Sequence, residues 1–74
     1  MNTMTLFKSK LHYQNTFAQM LPLEEARAFY AQLRKLGLKP STTKKGGHRL
    51  TNEEGYLTFS PKGSKVHVLA KRTS

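Results

Sequence analysis

The 74 residues leave room for one domain with a thin core, because a chain this short buries only about 60% of its unfolded surface. The chain has no cysteine, which excludes disulfides, thiolate zinc sites and cysteine nucleophiles. Thirteen Lys and Arg against four Glu give a formal charge of +9, the footprint of a nucleic-acid binder or of a protein working beside nucleic acid. No apolar run reaches signal-peptide or membrane-span length, so the expectation is a soluble cytoplasmic protein with no membrane contact.

Within the N-terminal segment 1–20, residues 5–13 alternate imperfectly, with Phe7, Leu11 and Tyr13 on one side and Lys8, Lys10 and His12 on the other. They read as an edge strand whose lysines discourage edge pairing, or as a mobile arm that orders on a partner. The polar residues 14–19, with one Phe, read as a connector. Residues 21–74 read as a single small α+β domain.

The segment 22–37 predicts a helix, since Leu23, Ala26, Phe29, Tyr30, Leu33 and Leu36 recur at helical spacing. Pro22 suits a first helical position, and Glu24 and Glu25 complement the positive end of the dipole. Arg34 and Lys35 fall in the last turn, Gly37 is a left-handed stop, and Pro40 forbids continuation. Beyond it, Gly46 and Gly47 read as a turn or bulge, and residues 52–55 as a turn with Gly55 free to take positive φ. Residues 56–60 and 65–71 alternate as strands, with Leu57 and Phe59, then Val66, Val68 and Ala70, facing inward. Residues 61–64 form the turn between them. The whole predicts one helix packed on an antiparallel β-meander of three or four strands, with an N-terminal segment outside it. Leu23, Phe29, Leu33, Leu36, Leu50, Leu57, Phe59, Val66 and Val68 are the expected core.

Catalysis is poorly supplied. The carboxylates are two adjacent pairs, Glu24 with Glu25 and Glu53 with Glu54, and neighbours in sequence point to different sides. His12, His48 and His67 are too far apart for a ligand spacing, so neither a metal site nor a cofactor is expected. The cations have more order. Lys39, Lys44, Lys45 and Arg49 flank the glycine turn, whose backbone N–H groups suit a phosphate, and Lys62, Lys65, Lys71 and Arg72 belong to the last turn and strand. Tyr13 and Tyr56 could stack on bases if exposed, against the commoner use of such a residue in core or rim packing. No helix-turn-helix, zinc finger or RNA-recognition-motif signature occurs.

Two resemblances extend this reading. Leu33, Arg34, Lys35, Leu36, Gly37 and Leu38, then Lys45, Gly46, Gly47, His48 and Arg49, then residues 55–63, resemble the helix end, Gly-Ser-His-His turn and strands of the HicA toxins. That resemblance implies a fold like a double-stranded-RNA-binding domain and RNA cleavage dependent on His48. In size, basicity and element order, with residues 4–13 as a contacting arm, the whole chain is similar to small phage regulators. Proteins of that kind bind host RNA polymerase, block initiation and promote antitermination. The resemblance implies a non-enzymatic, monomeric regulator in the cytoplasm of a bacterial host. Leu6, Phe7, Leu11 and Tyr13 would contact the polymerase, and Lys44, Lys45, Arg49, Lys62 and Lys65 would contact phosphate or an acidic protein surface. The alternatives are a HicA-like RNA-cleaving toxin and a general RNA- or DNA-binding module.

Overall fold

The computed structural model describes residues 3–73, so residues 1, 2 and 74 of the expected segments lie outside it. The described chain runs α1 (Thr3–Tyr13), β1 (Thr16–Pro22), α2 (Leu23–Lys35), β2 (Lys39–Thr42), β3 (His48–Thr51), β4 (Gly55–Lys62) and β5 (Lys65–Arg72). The strands form one antiparallel sheet in the order β1-β5-β4-β3-β2, with both helices on one face. The α+β class is as expected. Five strands replace three or four, and the N-terminal segment is built into the fold.

Neither N-terminal alternative describes the chain, because residues 3–13 are helical. Phe7 and Leu11 are four apart, a spacing that is even, as on a strand, and also close to one helical turn. Met4 decides between them, since its odd spacing of three from Phe7 places all three on one side only in a helix. Phe7 is 2% exposed, with Met4 and Leu11 packed at the margin of the core. Lys10 falls in the last turn, where a cation complements the dipole.

The expected connector is β1, whose residues Phe17, Gln19 and Leu21 alternate toward the helices opposite Ala70, Val68 and Val66 of β5. β1 is an edge strand, so Pro22 can end it without removing an interior ladder bond, and it caps α2 from outside the helix.

α2 buries Ala26, Phe29 and Leu33. At its end the Gly37 N–H donates to the Arg34 carbonyl at 3.0 Å and the Leu38 N–H to the Leu33 carbonyl at 3.3 Å, with Gly37 at φ 96°. This is the paired Schellman closure, including its apolar contact, because Leu38 and Leu33 are both buried in the core. The reversal turns Leu36 outward to 61% exposure and puts Leu38 in its place, and Leu23 at the first turn is 46% exposed. Leu23 and Leu36 therefore leave the expected core. Leu57 is half-buried, and the other expected core residues are buried.

A run of ring contacts ties the layers together. Phe7 meets Phe17 and Phe29, each at 4.9 Å between centroids, Phe29 meets Phe59 at 5.9 Å, and Phe59 meets Tyr30 at 5.4 Å. The β4–β5 connection is shorter than expected, because Lys62 pairs directly with Lys65. Gly63 takes φ 65° and Ser64 a negative φ, a type II′ hairpin with glycine at its first central position.

Candidate nucleic-acid interface

Because the helices cover one face of the sheet, the other face lies open, and strand alternation decides which side chains stand on it. Across the middle run Ala18, Leu69, Thr58, Arg49 and Ser41, each opposite the next. A parallel row is Thr16, Lys71, Tyr56, Thr51 and Lys39. Met20, His67 and Ser60 follow on the other side of the first row, and Pro22, Lys65 and Lys62 close the sheet at the hairpin. Lys39, Arg49, Lys62, Lys65 and Lys71 are all exposed there.

Thr43, Lys44, Lys45, Gly46 and Gly47 connect β2 to β3 at the end of the sheet where Gly63 and Ser64 connect β4 to β5. Lys44 and Lys45 thus line the same shallow basin as Arg49, Tyr56, Ser60 and His67, a hollow of about 540 Å³. The glycine turn does not present the free amides expected of it. The Gly46 N–H donates to the Thr43 carbonyl at 3.1 Å and the Gly47 N–H to the Thr43 hydroxyl at 2.9 Å. The turn also carries the exposed side chains of Lys44 and Lys45.

The four glutamates stand off this face. Glu24 and Glu25 occupy the first turn of α2, behind the sheet. Glu53 and Glu54 lie in the β3–β4 turn at the opposite end from the lysine turns, held by Asn52, whose Oδ1 accepts from the N–H groups of Glu54 and Gly55 at 2.9 and 3.0 Å. Among the described residues the open face therefore carries cations, hydroxyls, one imidazole, one tyrosine ring and the apolar Ala18, Met20, Pro22 and Leu69, with no carboxylate.

Tyr56 is the aromatic ring, half-buried among its neighbours. The Arg49 guanidinium lies over it, 4.6 Å from the ring centroid. That distance is within cation–π range, and the Arg49 side chain is exposed.

Arg49, Lys62 and Lys65 share this face and Lys44 and Lys45 border it. Lys39, Lys71, Thr58, Ser60 and His67 stand with them. Lys71 was legible from its parity with Lys65, and Lys39 needed β2 to be recognised as a strand. Arg72 falls on the opposite side, where its Nη2 donates to Asn15 Oδ1 at 3.1 Å.

The set Leu6, Phe7, Leu11 and Tyr13 is not a continuous contact surface. Phe7 is core and cannot serve as an arm residue, Leu6 and Leu11 are half-buried, and Tyr13 is 85% exposed at the end of α1. His48 is exposed on the helix side of the sheet, with its ring 6.3 Å from that of Tyr30, so it is separated from the basic face by the sheet itself. Among the described residues no group of three His, Cys, Asp or Glu could hold a metal ion, and no helix is long and apolar enough to cross a membrane. Comparison with protein-family models, curated proteins and solved structures found no significant match.

Proposed function

We propose that the protein is a non-enzymatic, basic nucleic-acid-binding protein whose interface is the open face of its sheet. One observation carries the reading: Lys39, Arg49, Lys62, Lys65 and Lys71 converge on a face that carries no acid among the described residues, with Lys44 and Lys45 at its rim. A surface of one sign attracts polyanions at long range and holds them by releasing their counterions. Among the described residues the same face has no carboxylate, and His67 there belongs to no group of three metal-ligating side chains.

A second reading, a transcription regulator docked on bacterial RNA polymerase, has Tyr13 in its favour. A tyrosine that is 85% exposed at the end of α1 is the kind of anchor that interfaces use. Affinity capture from a bacterial lysate, with and without nuclease, separates the two. Nucleic acid recovered directly, together with proteins lost after nuclease, is the expected result. Polymerase subunits retained after nuclease would move the function to the second reading, and recovery of neither would remove both.

A further inference from the structure

We infer that the ligand of the open face is an unpaired nucleic-acid strand, RNA or DNA, whose bases stack on the Arg49–Tyr56 pair; this rests on the nucleic-acid reading above. Shape is the first argument. Five strands about 4.8 Å apart make a face roughly 19 Å across, wider than the ~12 Å major groove of a DNA duplex. The helices, which could enter a groove, lie behind the sheet with their inner sides in the core, and α2 begins with Glu24 and Glu25. A flat sheet face instead suits bases that have left the helical stack.

The second argument is the arrangement of chemistry on that face. Its middle is a half-buried strip of Tyr56, Thr58, Ser60, His67 and Leu69, two rings, one apolar side chain and two hydroxyls, with the Arg49 guanidinium reaching over it at Tyr56. The lysines stand around this strip, with Lys62 and Lys65 at one end and Lys39 and Lys71 toward the other. Duplex recognition places phosphates against the protein along both strands and asks for charge throughout. A single strand lets phosphates run along a basic border while bases turn inward to rings and donors.

Arg49 and Tyr56 supply the platform. The Arg49 guanidinium, on an exposed side chain and 4.6 Å from the Tyr56 ring centroid, is a planar group on which a base can stack, while its N–H donors reach base edges or phosphate. Lysine at this position would keep the charge and lose the plane.

The test titrates the intact protein with labelled oligouridylate, oligothymidylate, and RNA and DNA duplexes of matched length, following anisotropy. Both single strands, or one of them, should bind more tightly than either duplex, and the preferred sugar identifies the source. Tyr56→Ala should weaken single-strand binding roughly five- to 150-fold, the range expected for one base-stacking contact. Tyr56→Phe should retain it, and Arg49→Lys should lose several-fold on single strands while duplex binding holds. Thermal melts of each variant identify any that fail to fold, and Tyr56→Phe and Arg49→Lys still decide the matter if Tyr56→Ala is one of them. Duplex binding equal to or tighter than single-strand binding overturns the inference and leaves the nucleic-acid reading intact. Equal losses for Tyr56→Phe and Tyr56→Ala, or no loss for Arg49→Lys, overturn the stacking platform. Failure to bind any of the four probes overturns the nucleic-acid reading itself.

Discussion

Gly55 shows how one residue's requirement can come from far along the chain. Its place after Asn52, Glu53 and Glu54 suggests a turn glycine kept for positive φ, yet the positive-φ glycines are Gly37, Gly46 and Gly63. Gly55 opens β4 opposite Arg72, and a Cβ there would run into the Lys71 carbonyl oxygen and stand 2.9 Å from the Arg72 Cα. Both obstacles are backbone held in the sheet, so they cannot swing aside as a side chain could. Gly55→Ala should therefore cost about 1–3 kcal/mol, the usual range for forcing atoms into filled space. For a domain of this length that lowers the melting temperature by roughly 4–8 °C per kcal/mol. A melt unchanged by Gly55→Ala would show that β5 can move away from β4 there. The turn was legible from the sequence because Asn and Gly have local preferences. The close approach was not, because its cause is the carbonyl of a residue in another strand.

At the scale of elements, legibility followed the length and regularity of the pattern. α2 was readable because its apolar spacing, acidic first turn, basic last turn and Gly37 agree, although Pro22 lies just outside it and Leu23 and Leu36, at the ends of the expected stripe, are exposed. β4 and β5 were readable because each alternates over most of its length. α1 was not, since over eleven residues it buries one side chain, and the spacing of Phe7 and Leu11 fits both periods. Tyr13 reinforced the strand reading: six residues from Phe7 it shares a strand face, but on a helix it lies about 240° around the axis. The structure has it exposed there. Phe7 therefore carries the test of whether α1 belongs to the fold. Phe7→Ala removes a ring that touches both Phe17 and Phe29 and should cost about 3–5 kcal/mol. That is comparable to the whole stability of a domain of this length, so the variant should be largely unfolded at physiological temperature. Tyr13→Ala should leave the melt within about 0.5 kcal/mol of the parent. Circular dichroism melts of the two variants check this, and a normal melt for Phe7→Ala would return residues 3–13 to the status of an arm.

For the whole molecule the question is whether its charge acts as a sum or as a surface. The sum was plain from composition, and the alternation of residues 65–71 already separates Lys65 and Lys71 from Arg72. The surface was not plain, because it depends on which face the helices leave uncovered and on β1 completing the sheet. Two variants with the same net charge distinguish these ideas. Lys65→Gln with Lys71→Gln removes two cations from the open face, both on β5. Lys8→Gln with Lys35→Gln removes two exposed cations from α1 and α2, behind the sheet. If charge acted only as a sum, both variants would weaken binding alike, since long-range attraction is nearly indifferent to where a charge sits. Binding at a defined face releases counterions only where phosphates are met. Each lysine lost from the open face should then flatten the log–log dependence of affinity on salt by about 0.7 for a single strand, or about 0.9 for a duplex. The open-face pair should accordingly reduce both affinity at low salt and the salt slope, while the helix-side pair keeps the parental slope. Titrations over a range of salt concentrations measure both quantities. Equal slopes for the two variants would mean that the protein meets nucleic acid in no fixed orientation, and the sheet face would lose its claim to be the interface.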